Sequence, residues 1–322
     1  MIHIVDFHND WFCPEHSKKL QNEKDILICP EGDTFPIING IPRFVSGPNY
    51  ADAFGLQWNQ YRITQLDSFT KSNNTQIRLR RCLGSNLFDN LMKVNVLECG
   101  CGAGRFTEIL LNQGAKLTSI DLSNAVEANN INFPISENHN IAQADIAKLP
   151  LLPQSFDVVL CLGVIQHTPS PESTIAELYK YVRPGGWLVI DHYAFTISWY
   201  LRTAPLFRFV LKRMPPGKAM NLIQHLVNIF LPFHKFARNN YLLHGLINRI
   251  SPVYTYYRAL PELSDELQKE WALLDTHDAL TDWYKHFRTK GSIYKTLNSL
   301  GLQDITCEYG GNGIEARGKR PI

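Results

Sequence analysis

The chain has 322 residues, of which 44% are hydrophobic and 19% are charged, and its formal net charge is +2. This composition excludes a disordered or a fibrous protein and supplies enough apolar material for one main domain with additions. No apolar run approaches the length of a membrane span, and residues 1–6 lack the pattern of a signal peptide. Seven cysteines without a dense framework indicate a reducing compartment, so we expect a cytoplasmic protein.

Residues 1–46 are predicted to form a small, loop-rich N-terminal unit. The stretch from Phe35 to Phe44 alternates apolar residues around Asn39-Gly40, a pattern typical of a hairpin with a primed turn. Such a hairpin is too small to bury its own apolar face, so we expect the unit to dock on the rest of the chain. Residues 47–92 are predicted as helices that lead into the main domain.

Residues 93–191 alternate between short apolar strands and helices, which predicts an α/β domain built on a parallel sheet. The five strands are predicted at residues 94–98, 116–121, 140–144, 156–160 and 187–191. A helix at residues 291–300 and two strands at 304–309 and 313–317 would close the sheet. Residues 289–322 are therefore assigned to the same core, which would hold seven strands.

The strongest motif lies at the turn after the first of these strands, in Glu98-Cys-Gly-Cys-Gly-Ala-Gly104. Glycines at this turn let the backbone approach a ligand without an obstructing Cβ, at the edge where parallel sheets bind ligands. A dinucleotide fingerprint would need its third glycine at position 105, which is an arginine. The Glu98 carboxylate would repel a pyrophosphate, whereas it would attract a sulfonium or an ammonium group.

The pattern E-x-G-x-G-x-G resembles motif I of the class I S-adenosylmethionine (SAM)-dependent methyltransferases, which implies a seven-stranded Rossmann-like α/β fold. In this family the position of Asp121 accepts the ribose hydroxyls, Asp145 contacts the adenine amino group, and residues 161–167 lie under the methionine moiety. Gln57 would cap the pocket from the N-terminal side. The resemblance implies these cofactor-binding residues: Gln57, Glu98, Gly100, Cys101, Gly102, Ala103, Gly104, Arg105, Asp121, Leu122, Asp145, Ile146, Leu162 and Gly163.

The resemblance extends beyond the core. Residues 54–68 and 310–318 are similar to bacterial type 11 methyltransferases that carry a small cysteine-containing N-terminal unit and accompany glycan or surface-polysaccharide biosynthesis. This implies methyl transfer, by in-line displacement, to a small-molecule or glycan acceptor. The alternatives are a methyltransferase of ribosomal RNA or another macromolecule, and a non-catalytic SAM-binding interaction module. Residues 1–46 hold seven acidic and four basic residues, so their net charge is negative. A module that binds nucleic-acid phosphates would be expected to have a net positive charge, which argues against the RNA alternative.

A hydroxyl acceptor needs a base with a pKa near neutrality, which favours histidine. His167 follows the fourth predicted strand and is the first candidate, and His192 follows the fifth strand and is the second. Tyr284 and His286 lie in a C-terminal segment that would reach the acceptor. For each histidine the alternative is a side chain that is hydrogen-bonded for structure alone.

Residues 192–288 are predicted to be a helical insertion that covers the acceptor site. Its first part, residues 192–261, contains nine basic residues and no aspartate or glutamate. Such a segment, Arg208 included, would attract an anionic acceptor, for example a phosphorylated or lipid-linked one. It could instead rest on an anionic membrane surface, or be an ordinary lid with a solvated basic face.

The N-terminal unit carries a pattern of metal-binding residues. Cys13 and His16 are three positions apart, Cys29 and Asp33 are four apart, and each of the four side chains can bind zinc. The arrangement resembles the zinc site of a bacterial ribosomal RNA guanine methyltransferase, with two of its four positions changed. Either a site of two cysteines, one histidine and one aspartate persists, or packing alone holds the unit together.

Overall fold

The computed structural model describes residues 10–322, so residues 1–9 of the predicted N-terminal unit lie outside it. The strands are β1 (Gln21–Glu23), β2 (Ile26–Ile28), β3 (Thr34–Ile38), β4 (Ile41–Pro42), β5 (Asn95–Cys99), β6 (Lys116–Asp121), β7 (His139–Gln143), β8 (Phe156–Cys161), β9 (Val182–His192), β10 (Gln303–Gly310) and β11 (Gly313–Lys319). The α-helices are α1 (Asp52–Gln60), α2 (Asp67–Thr70), α3 (Asn74–Leu83), α4 (Ser85–Phe88), α5 (Arg105–Asn112), α6 (Ala125–Asn132), α7 (Pro171–Tyr181), α8 (Ile197–Tyr200), α9 (Ala204–Leu211), α10 (Pro216–Ala237), α11 (Tyr241–Ile250), α12 (Asp265–Thr281) and α13 (Lys290–Ser299). Single-turn 3-10 helices cover Ile146–Lys148 and Ile165–His167.

The N-terminal unit is a small antiparallel sheet in the order β1-β2-β3-β4. Asn39 and Gly40 join β3 to β4 with φ angles of 55° and 77°, the two positive values that a type I′ turn requires. Trp11 and Leu27 belong to the same buried cluster as the side chains of the main sheet, and the Phe44 amide donates to the Gln143 carbonyl at 2.8 Å. The unit is thus docked on the main domain, as its apolar hairpin predicts.

The main sheet has seven strands in the order β10-β11-β9-β8-β5-β6-β7. Five neighbouring strands of the sheet, β9, β8, β5, β6 and β7, run parallel to one another. Strand β11 is antiparallel to both of its neighbours, β9 and β10. The predicted seven-stranded α/β fold is confirmed. Chain order reverses at β5, which pairs with β6 on one side and with β8 on the other, and this reversal opens a crevice at the carboxyl ends of these strands.

Strand β9 begins earlier than the sequence predicts. The prediction started it at residue 187, because a Pro-Gly-Gly run at residues 184–186 is typical of a turn. In the structure Phe156 pairs with Val182 and Val158 pairs with Trp187, so the intervening residues are accommodated by an irregularity in the register. A local turn signal is therefore overridden by pairing with β8.

Residues 197–281 form a helical insertion with a core of its own. Ile223 and Val227 of α10 and Ala272 of α12 are fully buried in this second cluster. Helix α10 contains Pro232 and continues past it to Ala237. Among the described residues, no helix combines the length and the apolarity that crossing a bilayer requires.

Candidate functional site

The loop between β5 and α5 is shaped by its glycines. Gly100, Gly102 and Gly104 have φ angles of 79°, 52° and 97°, a region that residues with a side chain rarely adopt. A Cβ at Gly100 would lie 2.1 Å from a methyl carbon of Val164, and one at Gly104 would lie 2.7 Å from the Phe133 ring. Backbone conformation and close packing therefore both require glycine at these two positions.

Asp121 holds this loop to the end of β6. Its Oδ2 atom accepts a hydrogen bond from the Gly102 amide at 2.9 Å, and its Oδ1 accepts from the Ser123 amide at 2.8 Å and hydroxyl at 2.7 Å. Burial raises the pKa of the Asp121 carboxyl, while these bonds oppose the increase. Because each carboxylate oxygen offers two lone pairs, Asp121 retains acceptor capacity for a ligand.

Glu98 lies behind the loop and does not line the cavity beside it. Its Oε2 atom accepts hydrogen bonds from the hydroxyls of Thr107 at 2.6 Å and Ser119 at 3.0 Å. Burial raises the pKa of Glu98 from 4.5 to about 7. Its Oε1 atom is buried and has no hydrogen-bond partner within residues 10–322. The sequence predicts a direct contact with the cofactor, and the structure places the carboxyl one layer below the wall.

A cavity of about 770 Å³ opens in front of this loop. Twelve of the predicted site residues line it: Gln57, Gly100, Cys101, Ala103, Arg105, Asp121, Leu122, Asp145, Ile146, Leu162, Gly163 and His167. A Cβ at Gly163 would meet no atom within 4 Å, so this glycine borders open space. Gly102 and Gly104, like Glu98, do not line the cavity.

Arg105 is a buried cation in the cavity wall. Its Nη1 atom donates to Gln65 Oε1 at 3.0 Å and its Nε to the Thr75 hydroxyl at 3.2 Å. The guanidinium lies 5.2 Å from the centroid of the Trp271 ring. Burial lowers the pKa of Arg105 to about 10, a value at which the side chain still carries its charge near neutral pH.

His167 stands between two carboxylates at the far side of the cavity. Its Nδ1 atom lies 3.0 Å from Asp282 Oδ2, and its Nε2 lies 3.5 Å from Asp278 Oδ1. The edge of the imidazole meets the Tyr193 ring, with centroids 5.3 Å apart. Nε2 is buried without a hydrogen-bond partner in the described chain.

Asp282 is fixed as an anion. Its oxygens lie 2.7 Å from Lys285 Nζ and 2.6 Å from Arg208 Nε. Burial alone would raise the pKa of Asp282, but Lys285, His167 and Arg208 together hold it below its ordinary value. Asp278 differs, because burial raises its pKa against the opposing effect of His167 and Lys285.

The sequence analysis missed the acidic face of α12 and one glutamine. Asp275 and Asp278 of α12 line the cavity, and Asp282 directly follows the helix. Their spacing of three and four positions is a helical-face signal that could have been found in the sequence. Gln166 also lines the cavity, and its fully buried amide has no partner for either polar atom among the described residues. No sequence signal marks this glutamine.

Four predicted residues do not reach the cavity wall. His192 is fully buried, and its Nδ1 lies 3.0 Å from the Tyr193 carbonyl. The Tyr284 carbonyl lies 3.3 Å from His167 Nδ1, and the Tyr284 ring meets the ring of Tyr50, a cavity residue, with centroids 5.3 Å apart. The His286 amide donates to the Gln166 carbonyl at 2.9 Å. Arg208 is paired with Asp282, which it shares with Lys285.

The predicted metal ligands of the N-terminal unit lie together. Cys13, His16, Cys29 and Asp33 each offer one ligand atom, and these four atoms lie within 4.8 Å of one another. Cys13 Sγ is 3.5 Å from His16 Nδ1 and 3.3 Å from Asp33 Oδ2. Ligand atoms around a tetrahedral zinc ion are separated by about 3.3 to 3.8 Å, which matches these two distances, whereas His16 Nδ1 and Asp33 Oδ2 are only 2.8 Å apart.

Residues 97–190 match a protein-family model described as a methyltransferase domain. The chain is 30% identical over 131 residues to a ubiquinone biosynthesis O-methyltransferase of Pseudomonas fluorescens (strain Pf0-1), covering 40% of this chain and 56% of the relative. The corresponding enzyme of Pseudomonas entomophila (strain L48) is 31% identical over 125 residues, covering 38% and 54%. The chain thus spans about half the length of the curated relatives it matches.

Two solved structures match the chain at low sequence identity. A magnesium protoporphyrin IX methyltransferase from Synechocystis PCC 6803 with bound SAH is 14% identical, covers 84% of this chain and 96% of that one, and has a TM-score of 0.44. A SAM-dependent methyltransferase from Aquifex aeolicus is 12% identical, covers 85% and 98%, and has a TM-score of 0.43.

Proposed function

We propose that this chain, whose core is a class I SAM-dependent methyltransferase domain, transfers a methyl group to a hydroxyl of a small-molecule acceptor. The observation that carries this proposal is that the predicted cofactor residues and the His167–Asp282 pair line or border one cavity of about 770 Å³. A cavity of this size is within the range that holds a cofactor or a drug-sized ligand.

The cavity wall fits SAM. Asp121 offers carboxylate oxygens for a ribose diol, and Gly163 leaves open space where a side chain would obstruct a ligand. Gln166 presents a buried amide that needs hydrogen-bond partners, which a polar ligand would satisfy. When bound there, SAM supplies an electrophilic methyl group. These residues bind and orient, and orientation accounts for much of the rate of an in-line displacement.

We assign His167 as the base. Asp282, held as an anion by Lys285 and Arg208, fixes the proton on Nδ1, which leaves Nε2 as the acceptor. The acceptor hydroxyl would give its proton to this Nε2 as its oxygen takes the methyl group. Tyr193 packs against the imidazole and limits its rotation. His192, the second candidate, lies outside the cavity wall.

The nature of the acceptor is supported by two observations. The relatives cited above are named O-methyltransferases, which favours oxygen as the methylated atom. Aromatic side chains from separate elements, among them Tyr193, Trp199 and Phe287, line the acceptor side of the cavity, which suits a ring or an apolar body. The proposed acceptor can still be a glycan, a phosphorylated compound or a lipid-linked compound. Residues other than Arg208 would then bind its anionic group.

The test is incubation of the purified full chain with radiolabelled SAM and fractions of a cell lysate. We expect label in small soluble compounds or in lipid. Label confined to RNA or to protein would overturn the choice of acceptor in favour of a macromolecule. SAM binding by calorimetry without turnover on any fraction would leave a SAM-binding interaction module as the function.

We place the reaction in the cytoplasm, as the cysteine pattern indicates.

We also propose that Cys13, His16, Cys29 and Asp33 hold a structural zinc ion. The support is the mutual distance of their ligand atoms and the suitability of thiolate, imidazole and carboxylate as zinc ligands. Metal analysis of protein purified without chelator should give about one zinc per chain. The Cys29→Ser variant should lose it, whereas Cys307→Ser, at a buried cysteine outside the unit, should keep it. A clearly substoichiometric content in the wild type would contradict the proposal.

A further inference from the structure

Helix α11 exposes an apolar face to solvent. Leu242, Leu246 and Ile250 recur every fourth residue, on one side of the helix, and are 83%, 55% and 55% exposed. No residue of this helix is buried. An exposed apolar stripe of this kind marks a surface that contacts a partner rather than water.

The apolar surface continues onto the loop before α9 and onto α9 itself. Thr203 donates from its amide to the Arg249 carbonyl at 3.0 Å and from its hydroxyl to the Ile250 carbonyl at 2.6 Å. These bonds fix the end of α11 beside Leu201 and Leu206, which are 64% and 72% exposed. The side chains of the two helices therefore form one surface, which we call the α9–α11 face.

The insertion that carries this face holds positive charges without acidic partners among the described residues. Of the nine cations in residues 192–261, Arg208 and Lys235 pair with acidic residues, Asp282 and Asp265, that lie outside the segment. Within residues 10–322 the other seven have no ion-pair partner, and Arg213 and Arg249 are exposed on α9 and α11 or directly after them. A partner with negative charge and an apolar interior would match both properties.

We propose that the α9–α11 face docks on the surface of an anionic lipid bilayer. Exposed leucine and isoleucine side chains would enter the boundary between headgroups and acyl chains, while the arginines contact the headgroups. A nucleic acid offers the same charge but no apolar layer, so it would leave the leucines in water. A second copy of this chain would place like charges against each other across a two-fold axis.

Docking would bring the cavity close to the lipid. Trp199 and Thr196 line the cavity, whereas Ile197 and Tyr200, in the same turn of chain, are 68% and 57% exposed. The rim of the cavity is thus continuous with the loop that leads into the α9–α11 face. An amphiphilic acceptor would enter from the bilayer surface. This last step depends on the proposed methyl transfer, whereas docking itself does not.

The experiment is flotation of the full chain with two kinds of vesicle. One is made of equal parts phosphatidylglycerol and phosphatidylcholine, and the other of phosphatidylcholine alone. We expect binding to the anionic vesicles only, weakened by salt. The pair Arg213→Gln and Arg249→Gln should lower partitioning about fivefold for each removed charge. The pair Leu242→Ser and Leu246→Ser should lower it at least about tenfold.

Matched controls use residues outside the insertion. Ile131→Ser with Met92→Ser removes exposed apolar side chains, and Lys71→Gln with Lys295→Gln removes exposed charges, so neither pair should change partitioning. The proposal is overturned if the wild type binds both vesicles equally or neither. It is also overturned if the leucine variants float like wild type, if RNA binds with the same salt dependence, or if the leucine variants convert a dimer to a monomer without lipid.

Calorimetry on the same preparations measures SAM binding. It distinguishes a failure of the docking proposal from a failure of the proposed methyl transfer. Vesicle binding without SAM binding would contradict only the proposed function, and SAM binding without vesicle binding would contradict only the docking. The leucine and arginine variants should keep the SAM affinity of the wild type, because their side chains do not line the cavity.

Discussion

The two halves of the cavity are assembled in different ways. On the proposed cofactor side, the loop at residues 100–104 and Asp145 follow strands of the parallel sheet, and Asp121 ends one. On the acceptor side, His167 comes from the core while its two carboxylate partners come from α12 and the residue after it, more distant along the chain. The proposed cofactor side is thus local in sequence, whereas the proposed base depends on how the insertion packs.

The largest effect should come from His167→Gln, on the acceptor side. Removal of the proposed base should lower kcat about a hundred- to ten-thousandfold, and the Kd for SAM should stay near wild type because the cofactor side is untouched. Initial rates at saturating SAM, with calorimetry for Kd, measure both. His192→Gln is the matched control, because that histidine is buried beside the cavity but does not line it. An equal loss in the control would show that the assignment of the base is wrong.

Each half buries one carboxyl whose pKa is raised to about 7, Glu98 behind the cofactor loop and Asp275 on α12. For Asp275, burial is the main cause, followed by Asp278, and the ordinary value is 3.8. Between about pH 4 and about pH 7 the folded protein therefore binds more protons than the unfolded chain, so its free energy of unfolding decreases as pH rises through this window.

Asp275→Asn should remove up to about 4 kcal/mol of this pH dependence, and Glu98→Gln should remove a similar amount. Urea unfolding across the same pH range measures the slope. If both variants kept the wild-type slope, neither carboxyl would have the raised pKa. If the slope changed in one variant alone, only the carboxyl replaced in that variant would have a pKa that burial raises.

The next effect tests the cofactor side. Asp121→Ala should weaken SAM binding about ten- to a hundredfold, because it removes charge-assisted hydrogen bonds and also releases the Gly102 amide. Asp121→Asn keeps the shape and one oxygen, so its Kd should lie between those of the alanine variant and the wild type. Calorimetry on both variants measures this order. An unchanged affinity in the alanine variant would contradict the assignment of the cavity to SAM.

The smallest effect compares two arginines of the insertion. Arg208 binds Asp282, so Arg208→Gln should weaken the orientation of His167 and lower kcat about tenfold. Arg213 is exposed and its guanidinium lies 4.2 Å from the centroid of the Phe209 ring, so Arg213→Gln should leave kcat unchanged with an acceptor added in solution. A rise in KM with unchanged kcat for Arg208→Gln would indicate instead that Arg208 binds an anionic acceptor.

The sequence alone determined the fold class and predicted the residues of the proposed cofactor side, most of which line one cavity. Glycine at positions with positive φ, an acid at the end of β6 and one after β7 are local requirements, so they are visible as a motif. Glu98 was found for its type, but its place one layer behind the wall was not. A residue pattern shows which side chains follow a strand. It does not show that the hydroxyls of Thr107 and Ser119 donate hydrogen bonds to the Glu98 carboxylate.

Only the tertiary structure decided the partners of the charged residues on the acceptor side. Arg208 stands in a segment without acids, a pattern that predicts contact with an anionic acceptor, and its guanidinium pairs with Asp282, more than seventy positions away. His167 was chosen for its strand end, and its orientation between Asp278 and Asp282 came from α12. The physical reason is that ion pairs form between whatever charges packing brings together, and burial makes those contacts strong. The sequence around each charged residue therefore does not indicate its ion-pair partner.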